Sequence, residues 1–204
     1  METVYGSFPS EELKINEREL SRRLGMNPEK DAGGVAPVLE KCRRQLLKVA
    51  KCHYAWRRVP LTFPEEGVCL LGDIRIESRD LCKNLRDCGE AVLMGVTLGL
   101  EADRLLMRLE KTAPAEHFIT DAVASAAVES LCNQVDRQIR EEIGKEGDRT
   151  FRPRYSPGYG DCSIEVQRPL LDTLSAGTTL GITLNEVCFM TPVKSITAIM
   201  GIKE

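Results

Sequence analysis

Aromatic side chains are scarce in this chain: one Trp, four Tyr and five Phe in 204 residues, 5% of the total. Histidine is scarcer, with only His53 and His117. Cys52 and His53 are sequence neighbours, but adjacent residues on a helix point about 100° apart, so they make a poor nucleophile–base pair. None of the eight cysteines belongs to a C-x-x-C pair, which removes the usual zinc and iron–sulfur spacings. No G-x-G-x-x-G follows a strand-like segment, so the Rossmann fingerprint of dinucleotide enzymes and methyltransferases is missing. No apolar run approaches membrane-spanning length, and the start lacks a charged-then-apolar leader. The expectation is a cytoplasmic protein with no membrane partner. The net charge is −3, and no basic block exceeds the pairs Arg43-Arg44 and Arg57-Arg58, which argues against a nucleic-acid partner. Internal repeats and low-complexity tracts are also lacking.

What remains is an ordinary globular composition, 42% hydrophobic and 29% charged, in a length suited to one domain over 1–204. Without a secretory leader the cysteines are expected to be free thiols, most of them serving as small buried apolar residues.

Asn16 followed by Glu19 marks a helix start, with Gly25 as the stop and Ile15, Leu20 and Leu24 facing inward. Gly33-Gly34 is expected to break the chain before a longer helix with Pro37 in its first turn. Val38, Leu39, Cys42, Leu46, Val49 and His53 keep helical spacing there, which makes His53 a core or capping residue. Residues 59–63 and 68–76 read as short strands separated by Pro64 and Gly67. Ser78 can cap a short helix carrying Leu81 and Leu85. The apolar run 90–99 predicts a buried strand, followed by a helix over 101–111. The longest helix is predicted over about 115–143, with Phe118, Val123, Leu131, Val135 and Ile139 on its apolar stripe. Ser163 can cap a further helix, and 180–186 and 194–201 read as strands. Strands and helices mix without regular alternation, so the fold class is α+β rather than doubly wound α/β.

Two features carry candidate chemistry. The first is Arg152-Pro153-Arg154-Tyr155-Ser156-Pro157-Gly158-Tyr159-Gly160-Asp161. Proline fixes φ, glycine permits positive φ, and the product is a stiff loop that extends and then turns. Such a loop can grip a small anionic ligand with a flat part, a guanidinium fork on its carboxylate and a tyrosine on its plane. It can equally be a surface turn whose tyrosines pack on the core. The second is a stripe on the long helix, Asp121, Ser125, Glu129 and Cys132, interleaved with Ala122 and Ala126. It places two carboxylates on a floor of small residues, which suits either close approach of a ligand or two solvated or ion-paired acids.

These segments resemble a known family, the activation domain of cobalamin-dependent methionine synthase, which binds adenosylmethionine. Arg154-Tyr155-Ser156-Pro157-Gly158-Tyr159 resembles its R-x-x-P-G-Y signature. Gly95-Val96-Thr97-Leu98-Gly99 resembles the strand before its long helix, and the segment 121–129 resembles its Asp- and Glu-bearing helix. Asn185-Glu186-Val187-Cys188-Phe189-Met190-Thr191-Pro192 is similar to its T-E-S-x-x-M-x-P element, with Asn185 where threonine is usual. The likeness is best over 68–201 and looser over the helical part expected at 1–67.

The resemblance implies an α+β fold with a mixed, largely antiparallel sheet and long helices. It implies S-adenosylmethionine as ligand, with Arg154 on the carboxylate, Glu129 and Asp121 toward the ammonium or sulfonium, and Ser156, Gly158 and Tyr159 supplying backbone groups and a ring. It implies a stand-alone reactivation subunit that supports reductive methylation of cob(II)alamin. The cobalamin would be carried by a partner, a methionine synthase chain or related corrinoid protein, with flavodoxin as a possible electron donor. No catalytic acid or base and no metal ligand of its own is expected. The alternative is a docking module for a corrinoid protein that does not bind S-adenosylmethionine.

Overall fold

The structure, a computed structural model, describes residues 2–26 and 32–203. In chain order it contains β1 (Val4–Phe8), a 3-10 turn (Ser10–Glu12), α1 (Glu17–Leu24), α2 (Ala32–Val49), β2 (Cys52–Glu65), β3 (Val68–Leu71), β4 (Ile74–Glu77), α3 (Arg79–Asn84), β5 (Glu90–Thr97), α4 (Leu100–Thr112) and α5 (Pro114–Gly144). There follow β6 (Thr150–Phe151), a second 3-10 turn (Ile164–Val166), α6 (Gln167–Thr173), α7 (Ala176–Thr179), β7 (Thr183–Leu184), β8 (Met190–Thr191) and β9 (Ser195–Lys203). The fold is α+β.

Among the described residues, seven strands form one sheet in the order β4-β3-β2-β5-β9-β6, with β1 also on β2. Every pairing in it is antiparallel. β5 is central, paired along its whole length with β2 on one side (His53↔Thr97 to Pro60↔Glu90) and β9 on the other (Thr97↔Ser195 to Glu90↔Ile202). Successive strand residues point to opposite faces. Val92, Met94 and Val96 therefore pack with residues of α1, α2, α4 and α5, while Ala91 and Leu93 pack with residues of α3, α6 and α7. A strand covered on both sides needs an unbroken apolar run, and 90–99 supplies one.

The expected caps are present. Asn16 Oδ1 accepts from Glu19 N at 3.1 Å and Gly25 closes α1 at φ 64°. Ser78 Oγ accepts from Leu81 N at 3.0 Å at the start of α3. α5 opens on Pro114, whose missing N–H costs nothing in a first turn. Seven of the eight cysteines are buried and all are free.

Several expectations are corrected. His53 belongs to β2, opposite Ser7 and Thr97, and not to the preceding helix, which stops at Val49. Backbone pairing on both edges of β2 overrides the helical spacing. The N-terminal part is not wholly helical, since β1 and all of β2 lie within it. α2 runs through Gly33-Gly34, which leaves Pro37 inside the helix rather than in its first turn. The segment 68–76 is a hairpin of two strands turning at Gly72, where φ is 60°. Only Thr183–Leu184 is strand within 180–186. Ala176-Gly177 opens α7 instead of merely ending α6. Phe118 is 58% exposed, whereas Val123, Leu131, Val135 and Ile139 are fully buried.

Among the described residues, no helix is long and apolar enough to cross a membrane, and no group of three or more His, Cys, Asp and Glu is placed to hold a metal ion.

Candidate functional site

The chain after β6 runs along the outer side of β9 as an irregular strand. Arg152 N donates to Gly201 O at 2.9 Å, and Tyr155 and Ile199 exchange both backbone hydrogen bonds at 2.8 Å. Ser156 Oγ donates to Thr197 O at 2.7 Å. The chain then turns. Gly158, at φ 88°, donates its N–H to Cys162 O at 2.9 Å. Gly160, at φ 54°, lies so close to Asp80 and Tyr155 that a Cβ there would sit 2.7 Å from the Tyr155 hydroxyl. That hydroxyl donates to Tyr159 O at 2.9 Å. The two glycines are therefore required by backbone geometry and close approach.

Asp161 closes the turn against the start of α3. Its carboxylate accepts from the Ser78 hydroxyl, from Arg79 N at 2.8 Å and from Asp80 N at 3.2 Å. The Ser78 hydroxyl first, then the two backbone N–H groups, hold this carboxyl below its ordinary value of 3.8. A folded-state value below the unfolded one adds stability at higher pH, and that stability fades as pH falls through the folded value. Asp161→Asn is expected to lower Tm at neutral pH. The gap from wild type should hold down to about pH 5 and close below about pH 4. Thermal melts across that range check it, and a gap independent of pH would refute the linkage.

The opposite wall is α5. Asp121, Ser125, Glu129, Cys132, Asn133 and Asp136 follow one another at helical spacing on the side facing this loop and the start of β9. At one end Lys194 Nζ lies 2.8 Å from Asp121 Oδ1 and 2.9 Å from Ser125 Oγ. At the other end the Arg154 guanidinium reaches back to the helix. Its Nη1 donates to Cys132 Sγ at 2.9 Å, its Nη2 donates to Asn133 Oδ1 at 2.6 Å, and its Nε stands 3.8 Å from Asp136 Oδ2. Between these two cations lies Glu129, half-buried and with no hydrogen bond or ion pair among the described residues. Burial pushes the Cys132 thiol up to about 12, against the lowering effect of Arg154. It stays protonated near neutrality and is no nucleophile.

Two connected hollows open here. One, of about 270 Å³, is lined by Glu129, Cys132, Arg154, Tyr155, Ser156, Tyr159, Ile196 and Ala198. The other, of about 730 Å³, shares Glu129, Ser156, Tyr159 and Ile196 and extends to Gln167 and the 185–193 segment. That segment is held from several sides. Asn185 Oδ1 accepts from Val187 N at 3.1 Å and Phe189 N at 2.9 Å. Buried Gln167 donates to Cys188 O at 3.0 Å and accepts from Thr197 Oγ1 at 3.2 Å. Asp103 Oδ2 accepts from Val193 N at 2.7 Å. The rim of the larger hollow is apolar and exposed: Tyr159 at 70%, Phe189 at 72%, with Val187, Val193 and Ile164.

Of the residues singled out in the sequence, Arg154, Ser156, Tyr159 and Glu129 thus border one groove. Gly158 shapes the turn but is not among the lining residues. Asp121 is also outside the lining and is tied to Lys194, the ion-paired reading of that acid. Sequence reasoning passed over Gln167, Lys194, Asn133 and Asp136. The last two follow Glu129 by four and seven residues, a same-face spacing that could have flagged them.

No protein-family model and no curated protein matches the chain. Among solved structures it is similar to one described as "Crystal Structure of the MetH Reactivation Domain bound to AdoHcy". The TM-score is 0.73 and the identity 14%, over 98% of this chain and 78% of that one. The likeness is one of three-dimensional arrangement, and it agrees with the resemblance read from the sequence: this chain has the fold of the MetH reactivation domain.

Proposed function

We propose that the groove binds S-adenosylmethionine, and that the chain serves the reactivation of a corrinoid held by a partner of the cobalamin-dependent methionine synthase type. The observation that carries this reading is Glu129: a half-buried carboxylate without a partner among the described residues, flanked on its own helix by two acids that already have theirs. A carboxylate with no counter-charge beside it is free to pair with a cation, and a ligand bearing an ammonium and a sulfonium would supply one. The neighbouring groups fit the rest of such a ligand. Arg154 lines the same hollow and keeps one N–H on each terminal nitrogen beyond those given to Cys132 and Asn133. Those two N–H groups can donate to a carboxylate. The exposed Tyr159 ring offers a stacking face, and the larger hollow, about 730 Å³, is of small-molecule size. The neighbouring fold was solved with AdoHcy bound.

Bound adenosylmethionine would supply the methyl group of its sulfonium, leaving as the thioether S-adenosylhomocysteine when the S–CH3 bond breaks, and the acceptor would be a corrinoid on the partner, reduced by one electron from a donor such as flavodoxin. The work of this chain is positional. Arg154 and Glu129 would hold the two ends of the amino-acid part, and the turn at Gly158 and Gly160 would fix Tyr159 over the flat part. The apolar rim would exclude water where the partner docks. None of these residues needs to move a proton. A single-domain organisation over 1–204 and a cytoplasmic setting belong to the same proposal, supported by eight free cysteines.

A second reading is a docking module without ligand. It is favoured by the internal engagement of Arg154 and by the exposed apolar rim. Calorimetric titration with adenosylmethionine and with AdoHcy separates the two. Binding is expected, and Glu129→Gln should weaken it by about 10-fold to 100-fold, the effect of one charge-assisted contact. No heat and no thermal stabilisation, with a corrinoid partner present, would leave only the docking role.

A further inference from the structure

Arg154 is a long, flexible side chain, yet both terminal nitrogens and Nε are engaged by one face of α5. Cys132 Sγ is 2.9 Å from Nη1, Asn133 Oδ1 is 2.6 Å from Nη2, and Asp136 Oδ2 is 3.8 Å from Nε. Asp136 is itself shared, since its Oδ1 accepts from Arg140 Nε at 2.7 Å. Arg140 in turn donates to Arg152 O at 3.3 Å and lies over the Phe151 ring, 5.1 Å from its centre. The guanidinium plane is thus set by the helix, and the same network fastens the backbone two residues before Arg154.

We propose that Asn133 and Asp136 are positioning residues for Arg154, which aim its two remaining N–H groups into the groove and so set the preference for a ligand that carries a carboxylate. The inference rests on the reading of the groove as an adenosylmethionine site. Its physical basis is pre-organisation. An unrestrained arginine gives up rotamer freedom on binding, whereas one already held by three side chains gives up little. Asn133 is the sharper probe, because it carries no charge and its loss leaves the net charge of the groove unchanged.

The test compares wild type, Asn133→Ala and Asp136→Asn with two ligands, adenosylmethionine and its decarboxylated analogue. Asn133→Ala should weaken adenosylmethionine by about 10-fold and leave the analogue within about 2-fold. Asp136→Asn should act in the same direction, with Tm confirming that both variants are folded. Equal loss for both ligands, or no loss for either, would overturn the inference. A second readout needs no ligand: the Arg154 Nε–H signal in a ¹⁵N–¹H spectrum, assigned by its absence in Arg154→Lys. It should be sharp in wild type and broadened by exchange in both variants. A wild-type signal that is already averaged would overturn the positioning role. Failure of wild type to bind either ligand, with a sharp Arg154 signal, would instead count against the binding reading alone.

Discussion

Arg154→Ala is expected to weaken adenosylmethionine binding by about 2–4 kcal/mol, or about 30-fold to 1,000-fold, while changing Tm little. The size follows from what is removed. A paired contact between a guanidinium and a carboxylate in a partly closed site is among the stronger polar interactions, and truncating one partner leaves the other desolvated. Arg154 is only 20% exposed at its side chain, so water screens it poorly. The fold should tolerate the change because Asp136 retains Arg140 at 2.7 Å and the backbone of the loop keeps its hydrogen bonds to β9. Arg154→Lys should recover little. A single ammonium on a flexible stem cannot meet Cys132, Asn133 and Asp136 and still offer a fork to the ligand. Calorimetry at fixed ionic strength measures the loss. A dissociation constant within about 3-fold of wild type would mean that the ligand's carboxylate is held elsewhere.

Leu131→Ala should be the largest effect on stability, about 3–5 kcal/mol, read as a fall in the urea midpoint without a change in slope. Leu131 is fully buried at the middle of α5, in the cluster that includes Val92, Met94 and Val96 of the central strand. Removing its branched side chain leaves a cavity among residues from several elements that are anchored independently, so the surroundings collapse poorly. Phe118→Ala is the internal control. The ring is larger, but it stands mostly in solvent at the start of the same helix, and its loss should cost no more than about 0.5 kcal/mol. Similar losses at the two positions would show that the inward face of α5 has been misassigned.

Much of the fold was legible because some local signals have a single physical meaning. An apolar run such as 90–97 can satisfy its side chains only between two layers, and β5 is covered on both faces. Asn16 and Ser78 carry short oxygens just ahead of helical spacing, and both cap the helices that follow. Other signals were ambiguous. His53 fits the period of α2, but the chain leaves the helix at Val49 because β1 and β5 offer two edges to pair with. Residues 180–186 look β-rich, yet only Thr183 and Leu184 find a partner, in Met190 and Thr191 of β8, since the Asn185 side chain turns the chain there by accepting from Val187 N and Phe189 N. The pairing of His53 depends on strands far away in the chain, and no short window of sequence contains them.

The candidate site divides the same way. Taken alone, the sequence determined the turn at Gly158 and Gly160, the small-residue floor of α5 with its acids, and the order of motifs that resembles an activation domain. Those properties are set within a few residues, by φ limits and by the period of a helix. Only the tertiary structure decided that Asp121 belongs to Lys194, that Arg154 contacts Asn133 and Asp136, and that Glu129 has no ion pair or hydrogen bond among the described residues. Charge pairing is settled by distances across elements far apart in the chain, and those distances come into existence when α5 packs beside β9.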